Sequence, residues 1–156
     1  QHMPPNFTKS LAERLDALSN IKVKEGEEGD ILKRGYCYIA PGDFHMKVVN
    51  KEGNHTIELN KEPAVKGLRP AVDVLMESVA KLDNLKKVGV IMTGMGSDGS
   101  QGIIEIKKSN GYTIAQNQET SVIFGMPKAA IDTKSIDKIV PLNSIAYEIM
   151  SKVGVY

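Results

Sequence analysis

Hydrophobic and polar positions follow two rhythms along this chain, and the change between them separates an early strand-rich stretch from a later helix–strand alternation. Phe7, Leu11, Leu15 and Leu18 recur at helical spacing, which predicts an amphipathic helix over residues 8–18 with Thr8 as its N-cap. Residues 21–24, 36–40, 46–49 and 56–59 are short apolar or alternating runs bounded by Gly26, Gly29, Pro41 and Gly42. They predict four strands, the last two joined through the polar turn 51–54 as a β-hairpin. After residue 63 the pattern lengthens. Pro70 suits the first turn of a helix whose Val72, Leu75, Met76, Val79 and Leu82 form one buried stripe. Residues 88–93 read as a buried strand and residues 101–108 as a helix with Ile103, Ile104 and Ile106 on its apolar side. Residues 112–115 and 136–140 predict further strands, and Ile145, Ile149 and Val153 mark a terminal helix. The apolar run 121–131 is interrupted by Gly125 and Pro127.

Helices alternating with short apolar strands predict an α/β fold, doubly wound, with a mainly parallel sheet and one antiparallel β-hairpin, in one domain over residues 1–156. A composition of 41% hydrophobic and 25% charged residues suits an ordinary globular core. No apolar run approaches the ~18 residues of a membrane span, so no membrane insertion is expected. The net charge of +1, with lysines and arginines dispersed, offers no footprint for nucleic acid. The lone Cys37 excludes an internal disulfide, reads as a small buried hydrophobe and fits a reducing, cytoplasmic setting. Neither a metal nor a cofactor is implied.

The chemistry concentrates where the strand 88–93 runs into Gly94-Met95-Gly96-Ser97-Asp98-Gly99 and then into a helix. Glycines there let a strand reverse sharply and leave backbone N–H groups facing a crevice. The spacing matches the G-x-G-x-x-G of dinucleotide-binding folds, but Asp98 would set a carboxylate against a pyrophosphate, and no acidic residue ends the next strand, which runs into Gln116 and Asn117. Asp98 has two compatible readings. With Ser100 it can cap the following helix, with Gln101 completing a capping box. It can also hold the Nδ1–H of a histidine and so fix the tautomer of a general base. Three histidines are available. His55 falls in the hairpin turn, where solvent is expected to surround it. His45 starts a strand and can line a pocket or be a hydrogen-bonded structural residue. His2 precedes Met3-Pro4-Pro5, too rigid a segment for a helix. Spacing alone does not choose among them.

Several motifs together do. Gln1-His-Met-Pro-Pro-Asn-Phe-Thr8, Tyr38-Ile-Ala-Pro-Gly42 with His45 and Met46, Arg69-Pro70 with Asp73 and Leu75, Thr93-Gly-Met-Gly96 with Asp98 and Gly99, Ala115-Gln116, and Phe124-Gly-Met-Pro127 resemble the catalytic domain of the chemotaxis protein-glutamate methylesterases, the CheB family. Ala71, where the family usually has serine after Arg-Pro, is a peripheral departure. The resemblance implies a Ser-His-Asp hydrolase that demethylates glutamate methyl esters on chemoreceptor cytoplasmic helices, and in many members deamidates receptor glutamines. It places the catalytic histidine at His2, the triad aspartate at Asp98 and a methionine near the reaction centre at Met95. Backbone N–H groups near Gly94 and Gly96 are candidates to hold the oxyanion.

The family's nucleophilic serine lies in a glycine-rich turn some tens of residues before the histidine, and is expected to be missing from these 156 residues. Ser97 and Ser100 read as turn and cap residues. The chain alone is therefore expected to lack esterase activity, and loss of an early strand is expected to expose sheet edges. The family's receiver domain, phosphorylated by a chemotaxis histidine kinase in the intact protein, is likewise expected to be absent. Two other classes remain: a non-catalytic module that binds receptor or partner, and a nucleotide-binding domain.

Overall fold

The computed structural model describes residues 3–154, and His2 lies outside them. The chain forms two compact units, Gln1–Ser78 and Val79–Tyr156.

In the first unit, helix α1 (Phe7–Leu18) packs against strands β1 (Lys22–Glu25) and β2 (Tyr36–Ile39), which pair in parallel. The helix starts one residue earlier than its apolar spacing predicts. Its N-cap is Asn6, in the left-handed region at φ 73°, while Thr8 sits inside the first turn with its hydroxyl turned to Glu25. A hairpin follows, with β3 (His45–Lys51) antiparallel to β4 (Asn54–Asn60). The pairing Lys51↔Asn54 leaves a two-residue turn of Glu52 and Gly53, tighter than the predicted one, and both residues have positive φ. His55 is consequently a strand residue opposite Asn50. Val23, Met46, Val48 and Ile57 are buried. Helix α2 (Val72–Ala80) comes next. Cys37 is half-buried, and its burial pushes the thiol pKa up.

The second unit is a parallel sheet in the order β5-β6-β7, with β5 at Val88–Ile91, β6 at Tyr112–Gln116 and β7 at Lys138–Val140. Helix α3 (Ser100–Lys108) connects β5 to β6, and α4 (Met126–Asp132) connects β6 to β7. Pro127 sits at the start of α4, where a missing N–H costs nothing, so the interrupted run 121–131 becomes a loop followed by a helix. A short 3₁₀ turn (Leu142–Ser144) leads into α5 (Ile145–Val153).

Alternation along β5 shows why helices cover both faces of this sheet. Val88 and Val90 pack with Ile114, Val140, Ile145 and Ile149, the face that α5 covers. Gly89 lies on the opposite face: a Cβ there would meet Ile103 Cδ1 at 3.0 Å, so the missing side chain lets α3 approach the strand. A sheet wound on both sides, together with the antiparallel pair β3–β4, is the architecture that the hydrophobic rhythm predicts.

Candidate active site

In the second unit, the β5–β6 ladder ends at Ile91↔Ala115, and the chain turns at the carboxyl end of the parallel strands, where folds of this type place their chemistry. The turn is held from behind. Thr93 accepts the Ile123 N–H at its Oγ1 (2.9 Å) and donates that hydroxyl to Ile123 O (3.1 Å). Gly94 N–H donates to Ile123 O at 3.0 Å, while Gly94 O accepts from Gly125 N at 3.1 Å and Met126 N at 2.8 Å. The predicted oxyanion donors thus divide: the Gly94 amide is engaged with Ile123. Gly96 and Gly99 both have φ of 89°, a conformation that L side chains rarely adopt.

Asp98 lies in this turn with 2% of its surface exposed, whereas Met95 is 76% exposed. The N-cap of α3 is Gly99, and the Ser100 hydroxyl donates back to Ser97 O, so both serines beside Asp98 shape the turn. Gln101 reaches forward to Glu105 Oε1 at 3.1 Å.

In the first unit, the segment after His2 is clamped. The Thr8 hydroxyl, 2% exposed, donates to Glu25 Oε1 at 2.5 Å and accepts the Gly42 N–H at 3.1 Å. A Cβ on Gly42 would sit 2.6 Å from Pro5 N, 2.7 Å from Pro4 C and 2.8 Å from Met3 O. Only glycine lets the 40–44 turn press on the backbone that directly follows His2. Beside it, Met3, Pro4, Pro5, Asp43, Gly67, Leu68 and Arg69 line a cleft of about 290 Å³. Arg69 Nη2 donates to Asp43 Oδ1 at 2.6 Å, and Lys61 Nζ to Asp43 Oδ2 at 3.0 Å. The Arg69 bond, followed by that from Lys61, holds the Asp43 carboxyl below its ordinary value.

His45 is fully buried. Its Nδ1 accepts the Ala71 N–H (3.3 Å), so the proton belongs on Nε2, which faces Pro63 O at 3.2 Å. Both ring nitrogens of His45 thus serve the fold, and His55 lies in β4 opposite Asn50. Among the described residues, no group of His, Cys, Asp or Glu is placed to hold a metal ion, and no helix is long and apolar enough to cross a membrane.

The family model of the CheB methylesterases matches residues 1–149. The chain belongs to the CheB methylesterase family. A protein-glutamate methylesterase/protein-glutamine glutaminase of Pyrococcus horikoshii is 54% identical over 155 residues, 99% of this chain and 42% of that protein. The corresponding Geobacillus kaustophilus protein is 51% identical over 99% of this chain and 44% of its own length. The chain therefore spans about two fifths of these relatives. The crystal structure of the Thermotoga maritima CheB methylesterase catalytic domain superimposes with a TM-score of 0.93 at 43% identity, covering 97% of this chain and 80% of that one. Two polar side chains, one in each unit, have roles that escape sequence reading. Gln116 reads as the polar end of an apolar strand and part of a family motif, and Thr8 as a candidate cap, but neither reading shows that Gln116 bonds Thr93 or that Thr8 bonds Glu25 and Gly42, partners distant in sequence.

Proposed function

We propose that these residues are the histidine- and aspartate-bearing part of a protein-glutamate methylesterase acting on chemoreceptors, with glutamine deamidation as the parallel reaction on an amide. The observation that carries the proposal is the burial of the Asp98 carboxylate in the glycine turn beyond β5, in a chain that the CheB family model matches over residues 1–149.

A serine hydroxyl supplied from outside these 156 residues attacks the ester carbonyl, and His2 takes its proton. Asp98 orients the imidazole and stabilises the imidazolium. The Met95 and Gly96 amides, with Gly94 already engaged, are the donors proposed for the oxyanion. Collapse of the tetrahedral intermediate expels methoxide, which leaves as methanol with the proton from His2. Water then attacks the acyl-serine with His2 again as base, releasing the glutamate carboxylate and restoring the serine. The exposed Met95 side chain would touch the receptor helix.

Methanol release from methylated receptor tests this with the full-length protein and the 156-residue chain side by side. Turnover is expected only in the full-length protein, with one serine outside residues 1–156 labelled by a fluorophosphonate, and Asp98→Asn and His2→Ala both abolishing it. Turnover by the 156-residue chain, or full activity in either variant, would refute the assignment. Receptor binding without turnover by the full-length protein would favour a non-catalytic module.

A further inference from the structure

Burying an amide without partners is costly, so a fully buried glutamine with its carboxamide matched on both sides points to a task. Gln116 has no exposed surface and ends β6, directly beside the point where the β5 ladder stops. Its Oε1 accepts the Thr93 N–H at 2.8 Å, and its Nε2 donates to Thr120 O at 2.8 Å and to Thr120 Oγ1 at 3.2 Å. The side chain thus takes over where the ladder ends and ties β5 to the 117–123 loop. That loop holds the turn in its place, through Ile123 on Thr93 and Gly94. Thr120 Oγ1 is itself fixed, accepting the Leu142 N–H at 3.0 Å and donating to Asn117 Oδ1 at 2.7 Å.

We propose that Gln116 is a positioning residue of the esterase reaction: its carboxamide sets the Thr93–Gly94 backbone from which Met95 and Asp98 project. The inference rests on the functional reading above. Leucine at this position would keep the volume but leave the Thr93 N–H and the Thr120 carbonyl unmatched. The turn would then lose its register against Ile123 while the surface met by the receptor stayed the same.

The test is steady-state methanol release by the full-length protein, expressed per folded molecule, with the folded fraction read from circular dichroism and a cooperative thermal melt. For Gln116→Leu, kcat is expected to fall between about tenfold and a hundredfold, the cost of misplacing reacting groups by ~1 Å, with KM unchanged. A folded Gln116→Leu protein with the parent kcat would overturn the proposal. If Gln116→Leu does not fold, Thr120→Val and Thr120→Ser take its place: loss of kcat in the first and recovery in the second supports the proposal, and equal kcat in both overturns it. Asp98→Asn is measured in parallel. Full activity there would defeat the functional reading itself, whereas an inactive Asp98→Asn beside a fully active Gln116→Leu would defeat only the role of Gln116.

Discussion

Gly42→Ala is the substitution whose consequence follows most directly from measured distances. The added methyl would lie 2.6 Å from Pro5 N, where ordinary contact begins at 3.4 Å, so the backbone of residues 3–5 or the 40–44 turn must move by about 0.8 Å. The other close atoms, Pro4 C and Met3 O, are also backbone, so no side-chain rotation relieves the clash. Overpacking against a well-packed site costs about 1–3 kcal/mol. Retreat of the turn also lengthens the Gly42 N–H bond to Thr8 Oγ1, which in turn is held by Glu25. A loss of about 2 kcal/mol in a domain of this size lowers Tm by roughly 4–8 °C. Because the displaced backbone directly follows His2, kcat is expected to fall together with Tm, by up to about a hundredfold for a shift near 1 Å. Calorimetry and methanol release on the full-length protein read the two effects. A variant that melts and turns over like its parent would refute the reasoning, because the close approach would then have no structural weight. Loss of Tm with unchanged kcat would confine the clamp to stability.

Three further substitutions probe the second unit. Gly125→Ala presses on backbone of the 94–99 turn, with Gly94 O at 2.8 Å and Gly96 N at 3.1 Å, whereas Gly94→Ala meets the flexible Met126 Sδ at 2.4 Å; denaturant melts should therefore show the larger loss, about 1–3 kcal/mol, for Gly125→Ala, and the reverse order would contradict the packing described. Asp137 accepts from Lys107 Nζ at 2.5 Å and from both Thr113 N and Thr113 Oγ1 at 3.0 Å. Burial pushes its carboxyl up, but these bonds together outweigh burial and hold it below the usual carboxylate range. A lowered folded-state pKa means that the stabilisation is complete above the unfolded value and disappears as pH falls through the folded one. Asp137→Asn should thus cost about 1–2 kcal/mol at neutral pH and converge with the parent in acid melts, and a pH-independent difference would exclude the linkage.

The element order could be read from the chain because the signals for strands and helices are local. Period-two and period-3.6 apolar spacing and the glycines in the 94–99 turn each act over a few residues, and each is found where its pattern places it, whereas Pro127, which reads in the sequence as an interruption of the run 121–131, starts a helix. The motifs that pointed to the CheB family are also contiguous strings. Tertiary structure decided what distant residues do for one another. Thr8 has the side chain of an N-cap, yet its hydroxyl serves Glu25 and Gly42, which its own helix could not foretell. His45 resembled a candidate base until Ala71 and Pro63 took both ring nitrogens. Gln116 looked like the polar end of a strand, and only the end of the β5 ladder beside it gave its carboxamide the Thr93 N–H to accept. Local spacing sets which face a residue occupies, whereas a hydrogen-bond partner distant in sequence is set by how the faces pack.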